Sequence, residues 1–257
     1  MAAHGVRTRN LFDSSDAEPY RLSRSKLELF LQCPRCFYLD RRLGIGQPSG
    51  PPFTLNNAVD HLLKKEFDAC RVRQEAHAIM DEYGIDAIPL LHPQIDEWRD
   101  MRIGVQCVHP QSNFLFFGAI DDAWVDRDGS LIVVDYKATS SEREVTIDDE
   151  WKRSYKRQME MYQWLLRRNG YPVSDTGYFV YLNADRSRSD LSGALHFVTK
   201  ILPYRGDDGW VDDALMEARA CLSRDALPGS SSTCEWCAYR KAARDVEQPL
   251  VPLARGK

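Results

Sequence analysis

The chain has 257 residues, enough for one large α/β domain or two small ones. Its 43% hydrophobic and 28% charged content is that of an ordinary globule, which excludes the fibrous and fully disordered classes. A formal net charge of −4 excludes polyanion binding through whole-molecule charge, so any nucleic-acid affinity must come from a local basic face.

No apolar run approaches the roughly 18 residues of a membrane span, and the N-terminus has no apolar segment of a secretory signal. A cytoplasmic location is the expectation. Residues 1–21 are polar and aperiodic and are expected to be disordered or loosely attached. From Leu22 to Leu43 the pattern predicts a helix, with Ser23 as N-cap and Leu27, Phe30, Leu31, Phe37 and Tyr38 at helical spacing. A breaker-rich loop spans Gly44 to Pro52. A second helix is predicted from Leu55 to about Met80, its apolar face made by Ala58, Leu62, Leu63 and Phe67.

After Pro93 the character changes to strands, read as Arg102–His109, Phe114–Val125 and Ser130–Ala138. The turn Asp126-Arg127-Asp128-Gly129 joins the last two as a hairpin, because Asp-Gly tolerates the positive φ such turns need. A long helix over about Asp149–Arg168 ends at Asn169-Gly170. It carries Lys152, Arg153, Lys156, Arg157, Arg167 and Arg168, either a nucleic-acid face or simply a solvated one. Strands Gly177–Leu182 and Ala194–Leu202 follow, then a helix Asp212–Leu222, and a tail from Gln248 that is expected to be flexible. The order predicts one α/β domain over 22–247, a central mixed β-sheet flanked by helices. No Gly-x-x-x-x-Gly-Lys-[Ser/Thr] phosphate loop occurs, so any helicase motor must come from a partner in trans.

Chemistry concentrates in two places. In Ile132-Val133-Val134-Asp135-Tyr136-Lys137 an apolar strand runs into a carboxylate and an ammonium two residues apart, which therefore share a face. Asp121 reaches the same neighbourhood from the adjacent hairpin strand. Two carboxylates so placed make a hard-oxygen site for Mg²⁺ or Mn²⁺. Phosphodiester hydrolysis needs such an ion, and benefits from a positive group near the developing charge, a role open to Lys137. An isolated Asp-x-Lys could equally be a surface ion pair.

The other place is a pair of Cys-x-x-Cys segments, Cys33/Cys36 and Cys234/Cys237. In a reducing compartment these read as soft-metal ligands rather than disulfides. Four thiolates suffice for a [4Fe–4S] cluster or a Cys₄ zinc. Their separation makes a staple between the two ends of the domain. Cys70, Cys107 and Cys221 stand alone and read as small buried hydrophobes.

Together, Gly118-Ala119-Ile120-Asp121, Asp135-Tyr136-Lys137 and Gln158-x-x-x-Tyr162 resemble the G-x-I-D, D-x-K and Q-x-x-x-Y signature of RecB-like PD-(D/E)XK nucleases. The resemblance implies a restriction-endonuclease-like core, with Asp121, Asp135 and the carbonyl of Tyr136 as Mg²⁺ or Mn²⁺ ligands and Lys137 as the catalytic lysine. It implies that Gln158 and Tyr162, one helical turn apart, contact DNA or orient the site. The family's A-V-H-x-x-L helix is matched by Ala58-Val59-Asp60-His61-Leu62-Leu63. Asp60 takes the ligand position there, and His61 falls one residue late, rotated by about 100°.

Cys33-Pro34-Arg35-Cys36-Phe37-Tyr38 resembles the segment that opens iron–sulfur members of this branch, the AddB nuclease domain and the CRISPR-adaptation exonuclease among them. Those members carry one early and three late cysteines. Here the count is two and two, with Ala243 near the place of the missing one. The expectation is a Mg²⁺- or Mn²⁺-dependent exonuclease acting on DNA that is single-stranded or has free ends, in repair, recombination or CRISPR-type adaptation. A catalytically weak DNA-binding subunit of such a complex is the alternative.

Overall fold

The computed structural model describes residues 6–48, 50 and 54–247. The calls for a flexible tail from Gln248, for residues 1–5 of the loose N-terminus and for residues 49, 51 and 52 of the breaker-rich loop lie outside them. Among the described residues no helix is long and apolar enough to cross a membrane.

Strand β6 (Leu131–Thr139) is the axis of the molecule. Leu131 to Val134 are all buried, as in a strand covered on both faces. It pairs antiparallel with β5 (Asp122–Asp126) and parallel with β7 (Thr176–Ala184). With β2 (Ala87–Pro89) and β8 (Phe197–Arg205) this gives a five-stranded mixed sheet, ordered β2-β5-β6-β7-β8. The hairpin turn before β6 has Gly129 at φ +80°, and Asp126 Oδ1 accepts from the N–H groups of Asp128 and Ser130. Because side chains alternate along β6, Val133 joins the larger apolar cluster, beneath α6 (Arg153–Arg168). Ile132, Val134 and Tyr136 join a second cluster beneath α3 (Thr54–Arg73), around Phe67 and Trp124. Helix α6 is the parallel crossover from β6 to β7, follows a 3-10 turn at Glu150–Lys152, and buries every residue from Gln158 to Leu166.

The strand expected over Phe114–Val125 is broken. Its first half is β4 (Phe114–Gly118), the centre of a three-stranded sheet. The neighbours are β1 (Tyr20–Ser23), parallel, and β3 (Val105–His109), antiparallel. At Gly118 the chain leaves this sheet for the other. A Cβ there would lie 2.8 Å from Cε1 of Tyr162, so only glycine lets the strand pass the ring.

Two other expectations are corrected. The helix expected over Leu22–Leu43 is β1 followed by α1 (Arg24–Gln32) and α2 (Pro34–Arg41). Pro34 has no N–H to donate and cannot continue α1, but its fixed φ suits the first turn of α2. Residues 6–21 are tied down rather than loose. Phe12 is buried against Tyr20 and Phe114, and its N–H donates to the Arg41 carbonyl. One well-placed aromatic side chain outweighs a polar composition.

Helix α3 stops at Arg73, seven residues before the expected end, and Met80 belongs to the short α4 (Ala78–Glu82), whose first turn is capped by His77. Short α5 (Ile95–Arg99) leads into β3. Helix α7 (Val211–Leu222) is close to expectation, and α8 (Glu235–Glu247) grows out of the second cysteine pair.

Candidate active site and four-thiolate cluster

β6 delivers Asp135 and Lys137 to the face covered by α6. Asp135 is fully buried, and its Oδ1 accepts from Nε2 of Gln158 at 2.7 Å. Its Oδ2 forms an ion pair with Lys137 and has no hydrogen-bond partner among the described residues. Burial pushes the Asp135 carboxyl up to about 6; Lys137 opposes this and the nearby Asp121 charge adds to it. Burial alone would make the Lys137 ammonium easier to deprotonate, but Asp135 and Asp121 outweigh it and its pKa is raised. At neutral pH the site therefore holds a buried carboxylate beside a buried ammonium.

Asp121 stands at the crossing between the two sheets, partly exposed. Its Oδ2 accepts from the backbone N–H of Tyr136 at 2.9 Å, which ties it to β6. Its Oδ1 lies 4.0 Å from Nζ of Lys64, and the same ammonium is 2.9 Å from Oδ2 of Asp60. A cation thus sits between Asp60 on α3 and Asp121. These groups line a cleft of about 610 Å³, with Arg24, Gln158 and Tyr162 on its other wall. His61, one residue along α3, is exposed.

Gln158 and Tyr162 meet: Gln158 Nε2 also donates to the Tyr162 hydroxyl at 3.2 Å. Both are buried, Tyr162 under Gly118 and Gln158 against Asp135. Gln158 thereby holds Asp135, and both side chains also line the cleft.

The basic run of α6 and the 3-10 turn before it is largely neutralised. Arg157 pairs with Glu28, Arg167 with Asp175 and Asp208, Arg168 with Asp212, and Lys152 with Asp149. Lys156 lies 3.6 Å from Asp148, and only Arg153 lacks an acidic partner among the described residues.

Sequence reading missed what lies behind Asp121. The neighbouring Asp122 points to the opposite face, fully buried, and accepts from Arg71, from Arg99 at 2.7 Å and from the Tyr136 hydroxyl at 2.7 Å. The signal was the doubled aspartate: in a strand, adjacent side chains cannot share a face.

The four cysteines converge. Cys33 lies between α1 and α2, Cys36 in the first turn of α2, and Cys234 and Cys237 at the start of α8. Sγ separations are 3.8 Å for Cys33–Cys237 and 3.6 Å for both Cys36–Cys234 and Cys36–Cys237. All four sulfurs lie within 4.8 Å of one another, and none is in a disulfide. Burial opposes ionisation of Cys33, but the N–H groups of Cys36 and Ser231 outweigh it and bring the thiol down to about 7. Burial raises Cys36 and pushes Cys237 up to about 11. Cys70, Cys107 and Cys221 stand outside this group; Cys70 and Cys221 are buried and Cys107 is half-buried.

The family model of the PD-(D/E)XK nuclease superfamily matches residues 21–242, nearly all of the described chain. The chain belongs to this superfamily. Among solved structures it is similar to the crystal structure of SSO0001, at 14% identity and a TM-score of 0.42, over 89% of this chain and 87% of that one. A comparison with curated proteins found no match.

Membership of the superfamily supports a nuclease-type function with DNA as substrate and a divalent metal as cofactor. The carboxylates suit that ion: Asp60 and Asp121 line the cleft and Asp135 is buried behind Gln158, and all three offer the hard oxygens that Mg²⁺ and Mn²⁺ prefer. The thiolates suit a softer metal. Four sulfurs about 2.3 Å from one ion form a tetrahedron with edges of about 3.8 Å, close to the observed separations. In a [4Fe–4S] cube each thiolate stands beyond its own iron, so the sulfurs must lie about 6 Å apart, wider than this cluster.

Proposed function

We propose that this PD-(D/E)XK nuclease hydrolyses DNA phosphodiesters in the manner of the RecB-like branch, as an exonuclease on single strands or free ends. The observation that carries the reading is the state of Asp135. It is a fully buried carboxylate, fixed by Gln158 on one oxygen, with its other oxygen facing only the Lys137 ammonium. An ion pair of this kind is a poor source of stability, and it makes sense as a charged site kept ready for a ligand.

Asp121 and Asp135, with the carbonyl of Tyr136, are the groups proposed to hold Mg²⁺ or Mn²⁺, and Asp60 joins them from α3. Bound there, the ion would supply Lewis-acid polarisation of the phosphate and a lowered pKa for the attacking water. Lys137 provides fixed positive charge where the phosphate gains negative charge in the transition state. Gln158 and Tyr162 hold Asp135 in its orientation, and the Asp122 network holds the strand that begins just after Asp121. Lys64 occupies the gap between Asp60 and Asp121 and would have to leave it for both carboxylates to hold one ion.

The Cys33, Cys36, Cys234 and Cys237 thiolates are proposed to hold one tetrahedral ion, zinc foremost. The resemblance implies an iron–sulfur cluster, but the sulfur separations support the single ion. Its role is structural, because thiolates do not serve a hard Mg²⁺ site.

The functional reading is tested by incubating end-labelled linear and covalently closed circular single-stranded DNA with Mg²⁺, with Mn²⁺ and with EDTA. Loss of label from the linear DNA alone, abolished by EDTA and restored by Mn²⁺, is expected. Binding without cleavage in any divalent metal would leave the inactive DNA-binding subunit.

A further inference from the structure

Lys137, beside Asp135, forms part of the wall of a second concavity, of about 220 Å³, that no function has yet been given. Tyr181 lies at its floor, directly opposite Lys137 in the β6–β7 register. This tyrosine is 3% exposed, and its hydroxyl is buried without a hydrogen-bond partner. A phenol left in that condition is costly, so buried hydroxyls are almost always paired, with protein, water or ligand. The walls are aromatic. Tyr155 carries the Lys137 ammonium 4.8 Å above its ring, and Trp151 meets Tyr155 edge-on at 5.8 Å. Trp151 is nevertheless 66% exposed, an unusual state for the largest apolar side chain beside a cleft. The acids at the rim are already engaged, Glu144 by Lys200 and Asp149 by Lys152, while Arg143 has no acidic partner among the described residues.

An exposed indole, a free guanidinium and an unpartnered phenol beside Lys137 match a nucleotide, which presents a flat base, an anionic phosphate and polar edges. We propose that this concavity is the subsite for the nucleotide next to the scissile phosphate, its base stacked on Trp151 and its polar groups meeting the Tyr181 hydroxyl and Arg143. The inference rests on the nuclease reading above and makes it more specific: a stacked base must be unpaired, so the substrate is single-stranded at this position. The partly neutralised basic residues of α6 and the turn before it do not supply such selectivity, since phosphate contacts carry none.

The test measures binding by the full chain in Ca²⁺, with oligonucleotides carrying 2-aminopurine at successive positions. Wild-type protein is expected to bind single strands and to quench the probe at one position. Trp151→Ala should bind about 5- to 100-fold more weakly and lose that quench, while Trp151→Phe keeps most of both. Tyr181→Phe should bind about 3- to 10-fold more weakly with its unfolding midpoint unchanged or raised, because the substitution removes an unpartnered buried hydroxyl. A purely structural tyrosine would instead lower the midpoint and leave affinity alone. If wild-type protein binds DNA but Trp151→Ala binds equally and quenches at the same position, the subsite is wrong and the nuclease reading stands. Failure of wild-type protein to bind DNA at all overturns the nuclease reading and the subsite together.

Discussion

Asp135 gives the site a pH dependence whose sign follows from its raised pKa of about 6. A free aspartate ionises near 4, so between these values the folded chain holds a proton that the unfolded chain has lost. This group therefore favours the folded state on the acid side of the window and ceases to do so as pH rises through about 6. Metal binding runs the other way, because a ligating carboxylate must be deprotonated. Mn²⁺ affinity, measured by calorimetry without DNA, should be about tenfold weaker at pH 5 than at pH 7. Asp135→Asn should abolish most of that slope; an unchanged slope would place the titrating ligand elsewhere. Lys137→Ala should cut turnover by about 10²–10³ while changing DNA affinity only a few-fold, since its charge acts on the transition state. Equal loss in both would make Lys137 an ordinary phosphate contact. At this scale the shared face of Asp135 and Lys137 was legible in the sequence, because strand alternation alone brings the two together. The Asp122 network was not, since its partners Arg71 and Arg99 lie 51 and 23 residues away. Nor was the burial of Gln158 and Tyr162, which depends on a glycine from another sheet.

Among the elements, the crossing at Gly118 does the most to shape the site. The chain must change sheets there, and Tyr162 must lie against the strand to meet Gln158. Gly118→Ala should destabilise the protein by about 1–3 kcal/mol in urea unfolding, because the ring has no free direction in a packed core. It should also lower turnover by shifting the Gln158–Asp135 hydrogen bond. Full stability and full activity in this variant would mean that the ring is not confined. Element type was readable wherever periodicity was strong, as in α6, α3 and β6. The breaks were harder. Helical spacing continues across Cys33-Pro34 although the helix does not, and the four residues of β1 are too few to show alternation. Phe12 has no periodic context at all, and its burial depends on Tyr20, Phe114 and Arg41 arriving from elsewhere.

Over the whole molecule, the cysteine cluster and the carboxylate cleft share one helix. α1 ends at Cys33, and its Glu28 pairs with Arg157, one residue before Gln158 on α6. Cys33 and Cys237 are 204 residues apart, so a metal shared between them closes a loop that embraces the sheet. By the chain-entropy model such a closure is worth about 5 kcal/mol. Cys→Ser at Cys33, Cys36, Cys234 or Cys237 should each lose the same metal and lower the unfolding midpoint alike. Cys70, Cys107 and Cys221 should be dispensable for metal content. Elemental analysis of anaerobically purified protein should give one zinc per chain; four irons with equal labile sulfide would restore the cluster that the resemblance implies. The pairing of ends was legible from cysteine spacing alone, but the choice of ion rests on sulfur separations that only the folded chain supplies.

Asp135 is proposed as a metal-binding carboxylate of a nuclease site. The direct measurement compares wild-type protein and Asp135→Asn in Mn²⁺ on end-labelled single-stranded DNA, after circular dichroism has shown both folded and a Ca²⁺ binding assay has matched their occupancy. Wild-type protein is expected to degrade the strand and Asp135→Asn to leave it intact. Undiminished degradation by the folded Asp135→Asn protein would remove Asp135 from the metal site.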